Sequence, residues 1–102
     1  MYRCTWYATL YPGKLAEYRD KHAHIWPEML EMFRRAGIRN YSIWNCGDKL
    51  FGYYECDDPE YASKVKRESE VMAKWQKYME GLMEIQTDEN GSSQLNEVFY
   101  ME

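Results

Sequence analysis

Tyr18 and His22 stand four residues apart in the segment Glu17-Tyr18-Arg19-Asp20-Lys21-His22-Ala23-His24-Ile25-Trp26-Pro27-Glu28. On a helix that spacing puts both side chains on one face. Histidine is the side chain best matched to proton transfer near neutral pH. A tyrosine one turn away donates a hydrogen bond or orients a hydroxyl. Such a pair serves packing more often than catalysis, so it does not fix a function alone. His22 and His24 point apart on a helix, and no cysteine or carboxylate falls at a matching spacing, so no metal is expected. Asp57-Asp58 precedes Pro59 and reads as a helix start, not as a catalytic carboxylate pair. Glu68 and Glu70 read as a solvated face. The chain lacks a phosphate-cradling Gly loop, a dinucleotide fingerprint and a Gly-x-Ser-x-Gly elbow, and no cofactor is expected.

The elements that must position these residues follow from periodicity. Residues 3–11 alternate, with Cys4, Trp6, Ala8 and Leu10 on one strand face and Arg3, Thr5, Tyr7, Thr9 and Tyr11 on the other. Pro12-Gly13 ends that strand. Residues 14–24 read as a helix carrying Leu15, Tyr18 and His22 on one side. Pro27 opens a second helical segment near 27–36, closed by Gly37. Residues 38–46 and 50–56 read as strands joined through Gly47-Asp48-Lys49, a hairpin. Asp58 caps a helix that starts at Pro59, and Ser69-Glu70 begins another near 70–83. Its stripe is Val71, Met72, Trp75, Met79 and Leu82. Residues 86–93 form a loop, and 94–101 are expected as a closing strand.

That order, β-α-β-β-α-β, predicts an α+β fold of the ferredoxin-like type, a four-stranded antiparallel sheet with helices on one face. The other face of such a sheet should read polar. Here Trp6, Tyr7, Leu10, Tyr11, Tyr41, Ile43, Phe51 and Tyr53 are too many for one covered face. The excess predicts a second cover, a homodimer packed sheet to sheet, with a pocket between each sheet and its helices.

Length and composition set the outer bounds. The chain has 102 residues, enough for one domain, 1–102, with one core. Aromatic residues reach 17%, from ten Tyr, four Trp and three Phe, which suits interfaces and the flat faces of sugar sites. The net charge of −4 opposes a polyanionic partner, so no nucleic acid is expected. Residues 50–56 hold aromatics on the third strand, as nucleic-acid-binding relatives of this topology do, but Glu55 stands there and no basic residue. No apolar run reaches the roughly 20 residues of a membrane span, and no secretory leader is legible at Met1–Trp6. A cytoplasmic location is expected, with Cys4, Cys46 and Cys56 as reduced core thiols.

Four separate stretches carry a family resemblance. Tyr18-Arg19-Asp20-Lys21-His22 followed by Ile25-Trp26-Pro27-Glu28 resembles the L-rhamnose mutarotase family. Asn40-Tyr41-Ser42-Ile43 after Gly37, Trp75-Gln76-Lys77-Tyr78-Met79, and Glu97-Val98-Phe99-Tyr100 resemble its later motifs in the same order. The resemblance spans nearly the whole chain. It implies a dimeric α+β barrel and the interconversion of α- and β-L-rhamnopyranose, an isomerase reaction on a monosaccharide without metal or cofactor. It also implies His22 as the proton donor and Tyr18, Tyr41 and Trp75 as sugar-binding residues. Where the family often shows a second Trp, this chain has Gln76, a change that bears on which sugar is preferred. Other dimeric α+β barrel proteins that bind haem or small aromatic ligands, and non-catalytic sugar-binding proteins, are the competing expectations.

Overall fold

Alternation along the first strand decides which way the sheet faces. In the computed structural model, which describes residues 1–102, β1 (Tyr2–Leu10) turns Cys4, Ala8 and Leu10 into the core. Two helices follow, α1 (Leu15–Ala23) and α2 (Pro27–Arg35), then the hairpin β2 (Ile38–Cys46) and β3 (Lys49–Cys56). After it come α3 (Pro59–Glu68), α4 (Glu70–Tyr78) and a short β4 (Met83–Ile85). The four strands form one antiparallel sheet in the order β2-β3-β1-β4, the ferredoxin-like arrangement.

The helix starts follow the local chemistry. Asp58 accepts hydrogen bonds from the backbone of Glu60 and Tyr61, with Pro59 in the first turn behind it. Ser69 accepts from the Met72 amide and opens α4. Met29, Met32, Leu50, Trp75, Met79 and Leu82 pack with Ala8, Leu10 and Tyr18 into the main core. Cys4, Ala36, Ile38, Cys56 and Ala62 make a smaller cluster at the other end of the sheet. There the Cys4 and Cys56 sulfurs approach to 3.7 Å as free thiols, whereas Cys46 is exposed and is not a core thiol. Cys46 sits at the hairpin end of edge strand β2, where the sheet has no cover.

The closing strand differs from expectation. Residues 94–101 form no strand. Instead Met83–Ile85 takes the free edge of β1, pairing Leu10 with Met83 and Ala8 with Ile85. The helix expected near 70–83 stops at Tyr78, because Gly81 takes a left-handed φ of 85° and turns the chain into β4. With that edge filled, the C-terminal segment crosses the outer sheet face. The Leu95 amide donates to Thr5 Oγ1 at 2.8 Å, and Arg3 pairs with Glu97 at 2.7 Å.

One irregularity in β2 aims a side chain at the site. Arg39 pairs with Glu55 and Ser42 with Tyr53, so Asn40 and Tyr41 together oppose Tyr54, a β-bulge. Asn40 takes φ 51°, a conformation that Asn tolerates better than most residues, and its amide donates to Glu55 at 2.7 Å. The extra residue shifts the alternation by one. Ile38 on one side of the bulge and Tyr41 and Ile43 on the other therefore all face the helices.

Candidate functional site

Between the helices and the inner sheet face lies an open cleft of about 1450 Å³. Tyr18, His22, Tyr41, Trp75 and Gln76 all line it, although they come from α1, β2 and α4. His24 stays outside, its side chain 78% exposed beside Asp20.

His22 is held from three sides. Its ring stacks on Tyr18 at 4.4 Å between centroids and meets the edge of Trp75 at 5.4 Å. Its Nδ1 lies 3.0 Å from the Tyr18 carbonyl oxygen. A carbonyl only accepts, so Nδ1 carries the proton and donates it there. In the neutral ring Nε2 is then the free lone pair. Burial pushes the imidazolium below the usual histidine range, against an opposing pull from that backbone hydrogen bond. The resting form near pH 7 is therefore the neutral base.

Two phenols face the same space. The Trp6 indole donates to the Tyr41 hydroxyl at 2.8 Å. Indole is only a donor, so the Tyr41 proton remains free to be given to a ligand. Tyr41 as a residue is 36% exposed, yet its hydroxyl end lies under Trp6 and is desolvated, which pushes its pKa up to about 12. Burial, and then the nearness of Tyr41, raises Tyr18 as well. Both phenols stay protonated at any pH of interest.

Aromatic packing fixes the far wall. Trp75 is buried and meets Trp26 edge to face at 5.1 Å. Trp26 lies against Tyr78 at 5.3 Å, and the Lys21 ammonium caps that ring at 3.9 Å. Gln76, one residue on, is exposed at the mouth of the cleft. Sequence reasoning missed Trp6, Tyr54, Phe33 and Lys66 as lining residues. The inward parity of Trp6 on β1 was a usable signal. Lys66 gave none, because it sits among Lys64, Arg67 and Glu68 on a helix that reads as solvated.

Only the neutral His22 ring carries a free lone pair, so any uptake of a proton there rests on the neutral form. The expected pH profile is flat above about 6.5 and falls on acidification with a midpoint below that ordinary histidine value. The same sign holds for stability. The unfolded chain binds this proton more readily than the folded one, so the stabilising contribution is full above about 6.5 and is lost as pH falls through the folded pKa. An NMR titration of the His22 ring protons between pH 4 and 8 checks the direction; a midpoint above 6.5 contradicts it.

The fold and site together define an α+β protein of the ferredoxin-like type, the protomer architecture of the dimeric α+β barrels, with an aromatic cleft around one histidine. A family model for L-rhamnose mutarotase matches residues 3–101. Curated relatives named L-rhamnose mutarotase include one from Oceanobacillus iheyensis, 40% identical over 97 residues and covering 92% of each chain. Another, from Listeria monocytogenes, is 39% identical over 95 residues and covers 90% of each. The crystal structure of an L-rhamnose mutarotase from Formosa agariphila is similar over 100% of both chains, with a TM-score of 0.80 at 25% identity. Tetracenomycin F2 cyclase from Streptomyces glaucescens shares the fold alone, at a TM-score of 0.61 and 17% identity. The chain belongs to the L-rhamnose mutarotase family.

Proposed function

We propose that the cleft interconverts the α- and β-anomers of L-rhamnopyranose, with His22 exchanging the proton. The observation that carries this reading is the His22 ring itself. Its Nδ1 is committed to the Tyr18 carbonyl and its Nε2 is left free in a cleft lined by protonated phenols. Nε2 takes the proton of the anomeric hydroxyl as the ring C1–O bond breaks. The departing ring oxygen receives a hydrogen bond and then a proton from the phenol side, where Tyr41 has its O–H free. The open-chain aldehyde turns about C1–C2 and recloses on its other face: the C5 hydroxyl returns its proton to Tyr41 as its oxygen attacks C1, and the imidazolium returns its proton to the new anomeric oxygen. Trp75 supplies a flat wall for the sugar's C–H face, Tyr18 and Gln76 supply hydroxyl partners. The reaction needs no change of oxidation state, and side-chain acid–base chemistry suffices. Freshly dissolved crystalline α-L-rhamnose tests the proposal: protein at micromolar concentration should speed the polarimetric approach to equilibrium severalfold. A relaxation no faster than in buffer would count against it.

A homodimer belongs to the same reading. Tyr7 and Phe51 stack at 5.5 Å on the sheet face away from the helices. Val98, Phe99 and Met101 of the C-terminal segment stand 98%, 79% and 79% exposed. So much apolar surface is unusual on a monomer and supports a second copy as its cover. Light scattering at micromolar concentration should give twice the chain mass of 12.4 kDa. A monomeric mass would refute the dimer. No helix is long and apolar enough to cross a membrane, which agrees with the cytoplasmic location we propose for an enzyme of sugar metabolism.

A further inference from the structure

Beyond Tyr41 the cleft continues to two polar side chains that anomer exchange leaves unused. Lys66 on α3 donates from Nζ to the Tyr54 hydroxyl at 3.2 Å, and its ammonium stands 5.0 Å from the centre of that ring. The Tyr54 ring lies 5.1 Å from that of Tyr41, and all three side chains line the cleft that holds His22. Lys66 is half-buried, whereas its sequence neighbours Lys64 and Arg67 are both exposed.

The charge around it is unmatched. Five ion pairs form between permanent charges and a further contact joins His24 to Asp20, and neither Lys66 nor Arg19, the two Lys/Arg cations lining the cleft, takes part in any of them. Glu80 is the one acidic residue on the lining. The cleft is therefore positive in a chain whose net charge is −4. Holding an ammonium away from water without a counter-ion is costly. Burial accordingly pulls Lys66 below the usual lysine range. An anion on the ligand would remove that cost. After the bond to Tyr54, the ammonium keeps two N–H groups for it.

We propose that Lys66, oriented by Tyr54, is a subsite for the carboxylate of an anionic reducing sugar, so that the cleft accepts hexuronates beside 6-deoxy sugars. This rests on the sugar-binding reading above. Lys66 supplies the charge, Tyr54 fixes the direction of the ammonium, and Tyr41 is shared between this end of the cleft and the His22 end.

L-Rhamnose, L-mannose and L-mannuronate differ only at C6, which is methyl, hydroxymethyl and carboxylate respectively. Anomer exchange of each is to be measured by NMR with wild type and with Lys66→Met, which keeps the apolar stem and removes the charge. A charge-assisted hydrogen bond of this kind corresponds to roughly tenfold or more in binding. The L-mannuronate to L-rhamnose rate ratio is expected to fall about that much in the variant, whereas the L-mannose to L-rhamnose ratio does not fall. Calorimetry on wild type gives a second reading that needs no variant. L-Mannuronate binding should weaken with added salt, and L-rhamnose binding should not. An unchanged L-mannuronate ratio in folded Lys66→Met, or salt-insensitive L-mannuronate binding, overturns the subsite. Absence of L-rhamnose exchange in wild type overturns the mutarotase reading instead, and calorimetry still decides the subsite.

Discussion

Replacing His22 by alanine is expected to lower the enzyme-dependent rate of L-rhamnose anomer exchange by roughly 10²–10⁴-fold, the usual contribution of a positioned general acid–base group. The loss should fall on kcat more than on KM, because the imidazole acts on the moving proton while Tyr18, Gln76 and Trp75 hold the sugar. The fold should tolerate the change. His22 stacks on Tyr18 and Trp75 but is only half-buried. Circular dichroism therefore should show a native spectrum for the variant. The acid limb of the pH profile should disappear with the imidazole. A folded His22→Ala protein with full activity would remove His22 from the mechanism and turn attention to the phenols.

The second large effect concerns a residue with no side chain. Gly52 lies directly opposite Trp6 in the β1–β3 ladder. A Cβ added there would sit 2.0 Å from Trp6 Nε1 and 2.1 Å from Cε2. These are rigid ring atoms, so the indole must move as a unit. Once it moves, its hydrogen bond to the Tyr41 hydroxyl is lost, and with it the orientation that leaves the Tyr41 proton free. Overpacking of this kind costs about 1–3 kcal/mol. In a domain of this size each kcal/mol lowers Tm by roughly 4–8 °C. Gly52→Ala is thus expected to unfold at a distinctly lower temperature and to bind sugar more weakly. Thermal unfolding followed by near-ultraviolet circular dichroism reads the first effect, and the concentration dependence of anomer exchange reads the second. Adding Trp6→Ala should make the Gly52→Ala change nearly neutral in stability, since the clash is then gone. If Gly52→Ala costs the same in both backgrounds, the glycine is not there for Trp6.

Much of this was legible in the residues. Alternation along 3–11 gave β1 its faces, Asp58-Pro59 and Ser69-Glu70 marked two helix starts, and the Tyr18–His22 spacing brought two rings together on α1. Misreadings came where pairing across the sheet decides the outcome. Residues 94–101 alternate well enough for a strand, but an edge was needed, and Met83–Ile85 already held the one beside β1. The bulge at Asn40–Tyr41 inserts one residue against Tyr54, which no local pattern reveals, although Asn40 is a residue type suited to its φ. The meaning of Gly52 depends on a tryptophan 46 residues earlier in sequence. Lys66 was hidden by its company. A lysine among charged neighbours on a helix reads as solvated, and only the position of α3 beside Tyr54 turns it inward.

Saturation transfer between the two anomeric protons of L-rhamnose is the most direct measurement of what this cleft does. Irradiating one anomer should reduce the signal of the other when wild-type protein is present. In buffer alone the exchange is too slow to carry saturation across. Transfer that appears with protein at catalytic concentration is the result expected of anomer exchange at His22. Two unlinked anomeric signals, in the presence of folded protein, would contradict it.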